Sequence, residues 1–143
     1  MLFFHRQPAA IIAQPNPHLY VAPSVIHGRG VFSNQPIKQG AVIEECPVIK
    51  MVLDEMSVRR QMVLNYYAFM LDERVGECGF ALGYGSLYNH SSSSNARYYY
   101  DEEKQVMVFE AIRPIARHEE ITISYTPGED TTSIEHWLQK PEL

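Results

Sequence analysis

The chain has 143 residues, a length that fits one domain with one core. Its apolar share of 45% and charged share of 20% are ordinary for a globular protein, and no apolar run approaches the roughly 20 residues that a bilayer span needs. A net charge of −5 argues against a nucleic-acid-binding surface and suits a basic peptide partner, while two cysteines, Cys46 and Cys78, are too few for a disulfide framework or a four-cysteine zinc site.

In chain order, residues 1–17 (MLFFHRQPAAIIAQPNP) are apolar in flavour but broken by prolines, with no basic segment leading into a continuous apolar one. They read as an N-terminal arm, not a signal peptide. LYVA (19–22) predicts a strand, HGRGV (27–31) a glycine turn, and AVIEE (41–45) and PVIKMVL (47–53) two strands separated at Pro47. Residues 54–69 predict the one good internal helix, with Asp54 as cap and Met62, Val63, Tyr66, Tyr67 and Met70 at helical spacing. Gly76, Gly79, Gly83 and Gly85 mark turns around a short strand, FAL (80–82). RYYY (97–100), VMVFEA (106–111) and EITISY (120–125) predict strands, and TSIEHWLQ (132–139) a closing helix. The fold class is mainly β, a β-rich α+β domain with few helices.

QPIKQGAVIEE (35–45) and RPIARHEEITISY (113–125) echo each other as Pro-Ile, turn and returning strand. Gly40 stands at the first turn, where a positive φ is easy, and His118 stands at the matching place in the second. The echo predicts two similar corners, not a repeat architecture.

Three clusters carry candidate chemistry: His27 to Phe32 with its Gly-x-Gly, Asn89-His90-Ser91 through Asn95, and Glu119 to Tyr125. Singly, each has a plain structural explanation: a common turn, a polar loop and a strand end. In this order and spacing they resemble the SET domain, the fold of protein-lysine methyltransferases, over about residues 18–125. The chain is most similar to the short stand-alone SET proteins of viruses and bacteria. The four serines (91–94) are then motif positions filled with serine, not a linker. The family often has Cys at 92 and Pro at 94 where this chain has Ser, and Gly where it has His118. Many relatives add a cysteine-rich zinc segment after the final Tyr, and this chain has no Cys beyond Cys78.

The resemblance implies a SET fold of several short sheets with a threaded C-terminal motif. It implies S-adenosyl-L-methionine as methyl donor and a lysine in a basic protein segment, such as a histone tail, as acceptor. Gly28, Arg29 and Gly30 are expected at the donor, Asn89 to accept from its amine, and His90 to meet adenine through its backbone while its ring braces the motif. Trp137, in the 126–143 extension, is expected to close the donor pocket in place of the zinc segment. Tyr125 is the expected catalytic hydroxyl, and Tyr84, Tyr88, Tyr98 and Ile123 are expected along the lysine channel. No metal is expected, because His5, His18, His27, His90, His118 and His136 offer no close ligand pair. Neither nucleic acid nor membrane is an expected partner, a homodimer is compatible with the sequence, and the location implied is intracellular and soluble, extending to the nucleus of a host cell for a viral or intracellular bacterial source. Two rivals stand beside this reading. One is a SET-like module that grips peptides without catalysis; the other is a Ser/His hydrolase using a serine from 91–94 and one of the six histidines, although no nucleophile elbow is present and GYGSLYN (83–89) only comes near one.

Overall fold

The computed structural model describes residues 9–52 and 63–125. Nine strands run through them: β1 (Leu19–Pro23), β2 (Arg29–Ser33), β3 (Val42–Val52), β4 (Phe69–Asp72), β5 (Glu77–Ala81), β6 (Asn89–His90), β7 (Ala96–Asp101), β8 (Val106–Ala111) and β9 (Glu120–Ile123). Two short 3-10 turns, Val63–Tyr67 and Gly85–Leu87, are the helical elements among the described residues. The strands form a four-stranded sheet in the order β1-β2-β9-β6 and a five-stranded sheet in the order β4-β5-β3-β8-β7. This is the β-rich architecture of several sheets that the sequence predicts.

Strand β8 reads as a nearly continuous apolar run because it lies inside its sheet, with Val106, Met107, Val108, Phe109 and Ala111 all buried. The core gathers Val31, Ile43, Tyr88, Met107, Phe109, Ile115, Ile121 and Ile123 from both sheets. Cys46 and Cys78 are buried, and the Cys78 Sγ reaches the Met51 carbonyl at 3.5 Å.

Three expectations change. Pro47 does not separate two strands. β3 runs through it for 11 residues, and Pro47 sits where the strand exchanges one partner for another, β8 up to Pro47 and β5 from Val48. Its carbonyl accepts the Leu82 N–H at 2.9 Å, so the missing proline donor falls where the ladder changes over. The predicted helix over 54–69 lies largely outside the described residues; its end is a 3-10 turn, and Phe69 opens strand β4 instead. Packing decides that end, since the Phe69 ring meets Tyr98 at 4.9 Å and Phe109 at 6.1 Å between centroids. The FAL strand begins earlier, at Glu77, and leaves Leu82 in the following turn.

The two echoing corners face each other. Ile37 and Ile115 form an isolated antiparallel bridge, each N–H donating to the other's carbonyl at 2.9 Å. Gly40 has φ 81° and His118 has φ 64°, so both corners turn through the left-handed region. The side-chain ring of His118 lies 2.7 Å from the Tyr20 hydroxyl through Nδ1, which holds the residue in that conformation.

Candidate active site

Asn89 and His90 form β6 and pair in parallel with Thr122 and Ile123 of β9. The Ser91 N–H continues the pairing to the Ile123 carbonyl at 3.0 Å. Asn95 fastens the far end of the serine loop. Its Oδ1 accepts the Thr122 N–H at 2.9 Å, and its Nδ2 donates to the Glu120 carbonyl at 2.8 Å. The Asn-His-Ser-x-x-x-Asn spacing is therefore the length of chain that leaves β9 after His90 and returns to it at Asn95. Between those two anchors, Ser92 and Ser93 are exposed.

Asn89 is buried, and its amide sits at the centre of the first motif. Nδ2 lies 3.1 Å from the His27 carbonyl, 3.0 Å from the Arg29 carbonyl and 2.8 Å from the Glu120 Oε1. These acceptors fix which way the amide faces, so Oδ1 is the group Asn89 presents on its other side. Ser24 completes the knot: its hydroxyl donates to the Glu120 carboxylate at 2.8–2.9 Å and accepts the N–H groups of Ile26 and His27. Gly28 closes the turn with φ 47°, and a Cβ there would meet nothing within 4 Å. Gly30 is a glycine for a different reason. It is buried, and a Cβ there would collide with the Glu120 carboxylate. Arg29 and Gly30 open β2 instead of sitting within the turn, and the Arg29 side chain is exposed.

Tyr125 follows β9 and is held by both neighbouring segments. Its N–H donates to the His90 Nδ1 at 3.0 Å, and its hydroxyl donates to the Tyr88 carbonyl at 2.8 Å. An imidazole nitrogen that accepts from a backbone N–H carries no proton, so the His90 proton resides on Nε2. Burial also lowers the His90 pKa, which favours the same neutral ring. Burial, with the nearby Tyr67 and Glu120, pushes the Tyr125 phenol well above its ordinary value. Tyr98 lies beside it, its hydroxyl 3.4 Å from the Tyr125 carbonyl and its own pKa raised by burial. The chemistry available here is that of a protonated phenol aimed by a carbonyl, next to apolar rings and a second, partly buried hydroxyl.

The structure thus brings Gly28, Asn89, His90, Tyr98 and Tyr125 together. Two expected channel residues belong elsewhere. Tyr88 is 1% exposed, its ring packs on Phe109 at 4.6 Å and its hydroxyl bonds Glu44, so only its carbonyl faces the site. Ile123 is fully buried in the core, as its inward position on a central strand requires. Tyr84 is half-buried and packs at the edge of that core, tied through its N–H to Glu44. Trp137 lies outside the described residues. Ser86, the serine of GYGSLYN, donates to the Tyr67 and Ala81 carbonyls at 3.0 and 3.1 Å, which leaves the hydrolase rival without an activated nucleophile there. Among the described residues no three His, Cys, Asp or Glu side chains are placed to hold a metal ion, and no helix is long and apolar enough to cross a membrane. Ser24 and Glu44 went unremarked in the sequence, and Glu120 was marked only as a member of the third motif.

A family model described as the SET domain matches residues 28–126. The chain is 36% identical over 99 residues to a fission yeast (Schizosaccharomyces pombe) protein, the histone-lysine N-methyltransferase described as H3 lysine-37 specific. That match covers 68% of this chain and 66% of the relative's length. Among solved structures, the fold is similar to a Plasmodium falciparum protein described as a candidate histone methyltransferase, with TM-score 0.63 and 31% identity over 78% of this chain and 98% of that one.

Proposed function

The chain belongs to the SET-domain family, and from that premise we propose that it transfers a methyl group from S-adenosyl-L-methionine to a lysine side chain of a protein substrate. The observation that carries the reading is the pairing of β6 with β9. It sets Asn89 against the glycine turn and His90 against Tyr125, so three distant motifs converge on one place.

The residues fit the donor's chemistry. The donor supplies an electrophilic methyl carbon on a sulfonium, next to an amine, a carboxylate and an adenine ring. Asn89 offers Oδ1 to the ammonium, since its amide protons are committed to the His27 and Arg29 carbonyls. The open space at Gly28 lets backbone approach the donor closely, and this is the fit that a side chain would spoil. His90 keeps its ring for the Tyr125 backbone and leaves its own backbone for adenine.

Bound there, the donor would supply its methyl group to a neutral lysine nitrogen and leave as S-adenosylhomocysteine, and the product ammonium would give up a proton to solvent. Only the neutral amine can attack. For a free lysine near pKa 10.4, deprotonation at neutral pH costs roughly 4–5 kcal/mol. Apolar walls at Tyr98 and Tyr125 reduce that cost by making the charged form unfavourable. Tyr125 is not the base. Its hydroxyl is a donor with a raised pKa, and it aligns the amine while the chain's shape supplies proximity.

The net charge of −5 and the histone named in the fission yeast relative's description favour a basic, lysine-bearing segment such as a histone tail, modified inside a cell. The test is transfer of labelled methyl from the donor onto purified histones and onto a lysate of the source organism, with mass spectrometry to place the mark. Methylation of a lysine is the expected result. No transfer to either, by a protein that binds S-adenosylhomocysteine and peptide, favours the non-catalytic peptide-binding module instead.

A further inference from the structure

Glu44 is an acidic side chain in a place where an apolar one would serve the fold at lower cost. It lies on β3, 6% exposed, and no Lys, Arg or His among the described residues forms an ion pair with it. Burying a carboxylate without a cation is unfavourable unless hydrogen bonds compensate. Two do so. Oε1 accepts the Tyr84 N–H at 3.0 Å, and Oε2 accepts the Tyr88 hydroxyl at 2.8 Å. Gly83 has φ 68° and no room for a Cβ, because Glu44 Oε1 occupies that space. The thiol of Cys46 lies in the same pocket, where burial and the Glu44 charge hold it protonated.

The two bonds grip the two ends of one short turn, Gly85–Leu87, flanked by Tyr84 and Tyr88. Tyr88 is extended, with φ −61° and ψ 129°. Its ring runs inward to Glu44, and its carbonyl accepts the Tyr125 hydroxyl at 2.8 Å. The side chain of Tyr88 is therefore an anchor and its carbonyl the working end. We propose that Glu44 is a positioning residue for methyl transfer: by holding Tyr84 and Tyr88 it fixes the Tyr88 carbonyl, and through that carbonyl the direction of the Tyr125 hydroxyl. The kinetic part of this proposal rests on the transferase reading; the structural part does not.

Glu44→Gln tests it, because glutamine keeps the shape but turns an N–H₂ toward one of the two donors. The Tyr125 hydroxyl is followed by NMR of protein labelled at tyrosine 13Cζ, with the resonance assigned from Tyr125→Phe. The expected result is a shifted Tyr125 resonance, kcat lower by on the order of tenfold to a hundredfold, and affinity for S-adenosylhomocysteine unchanged. A folded Glu44→Gln protein in which either the Tyr125 resonance or kcat keeps its wild-type value overturns the proposal. If Glu44→Gln does not fold, Tyr88→Phe removes the hydroxyl alone and leaves carbonyl and carboxylate in place. A shifted Tyr125 resonance there supports the proposal, and an unshifted one overturns it. A wild-type protein without transferase activity sinks the functional reading instead, and the resonance alone then decides for Glu44.

Discussion

Tyr125 donates its hydroxyl to a backbone carbonyl, and burial raises its pKa, so it stays protonated through the working pH range. On the proposed transferase reading, replacing it with Phe removes a contact used on the way to the transition state. The expected outcome is a fall in kcat of about a hundredfold, the cost of a misaligned reacting group, with calorimetric affinity for S-adenosylhomocysteine unchanged. The wild-type rate should rise with pH as the substrate amine loses its proton. A rising limb that disappears in Tyr125→Phe would make Tyr125 a titrating base after all. Asn89 behaves differently, because its two ends do different work. Asn89→Ala should weaken donor affinity by roughly ten- to a hundredfold, the worth of a hydrogen bond to a charged group. It should also lower the Tm, since the His27 and Arg29 carbonyls lose their partner. A weaker Tm with unchanged affinity would make Asn89 a brace only. The motif residues were legible in the sequence because their spacing is distinctive. Glu44 and Ser24 were not, because a Glu within AVIEE and a Ser within a loop carry no local mark of burial; their partners stand at 84, 88 and 120.

At the scale of elements, β8 and β9 lie where their apolar residues predicted, because their own side chains fill the core. Pattern failed where tertiary partners decide. β6 is two polar residues long and exists because β9 offers a free edge to it. The boundary between turn and strand at Phe69 is set by Tyr98 and Phe109, which are remote in sequence. The echo of Pro-Ile corners was legible, including the positive φ at His118, but not that the two corners bond to each other. Asn95 is the element-scale joint, since it ties the serine loop to β9 through two backbone groups. Asn95→Ala leaves a buried N–H and a carbonyl unmatched, at about 1–3 kcal/mol each. The expected fall in Tm is roughly 5–15 °C, read by calorimetry, together with loss of donor binding. A fall within about 1 °C would show that water replaces the side chain without cost.

At the scale of the whole molecule, four acids, two buried and two partly buried, share one direction. Tyr88, Tyr98, Tyr125 and Cys46 all have pKa values raised first by burial. Each binds its proton more tightly folded than unfolded, so each contributes stability that is intact below the unfolded pKa and is lost as pH rises beyond it. The window opens near the ordinary thiol value of 9.0 and widens above the ordinary phenol value of 10.0. Thermal unfolding should therefore fall steeply above about pH 9–10, and a Tm flat across that range would contradict the burial of these groups. The C-terminal segment poses a separate question. Trp137 is the only tryptophan, so its emission reports one environment. Addition of S-adenosylhomocysteine should change that emission, and Trp137→Ala should weaken binding by the roughly 1–3 kcal/mol of a base–aromatic stack. Unaltered emission with the product bound would assign the closing group to another residue or to a second subunit.

The position of β9 bears on how the protein is made. The last described strand is seated between β2 and β6, antiparallel to one and parallel to the other. A growing chain therefore carries two unsatisfied strand edges until residues 120–123 leave the ribosome. Such edges are templates for pairing with other chains, so a message cut short before that point yields an aggregation-prone product. Synthesis rate across the final third, where the chain waits for β9, becomes a determinant of yield.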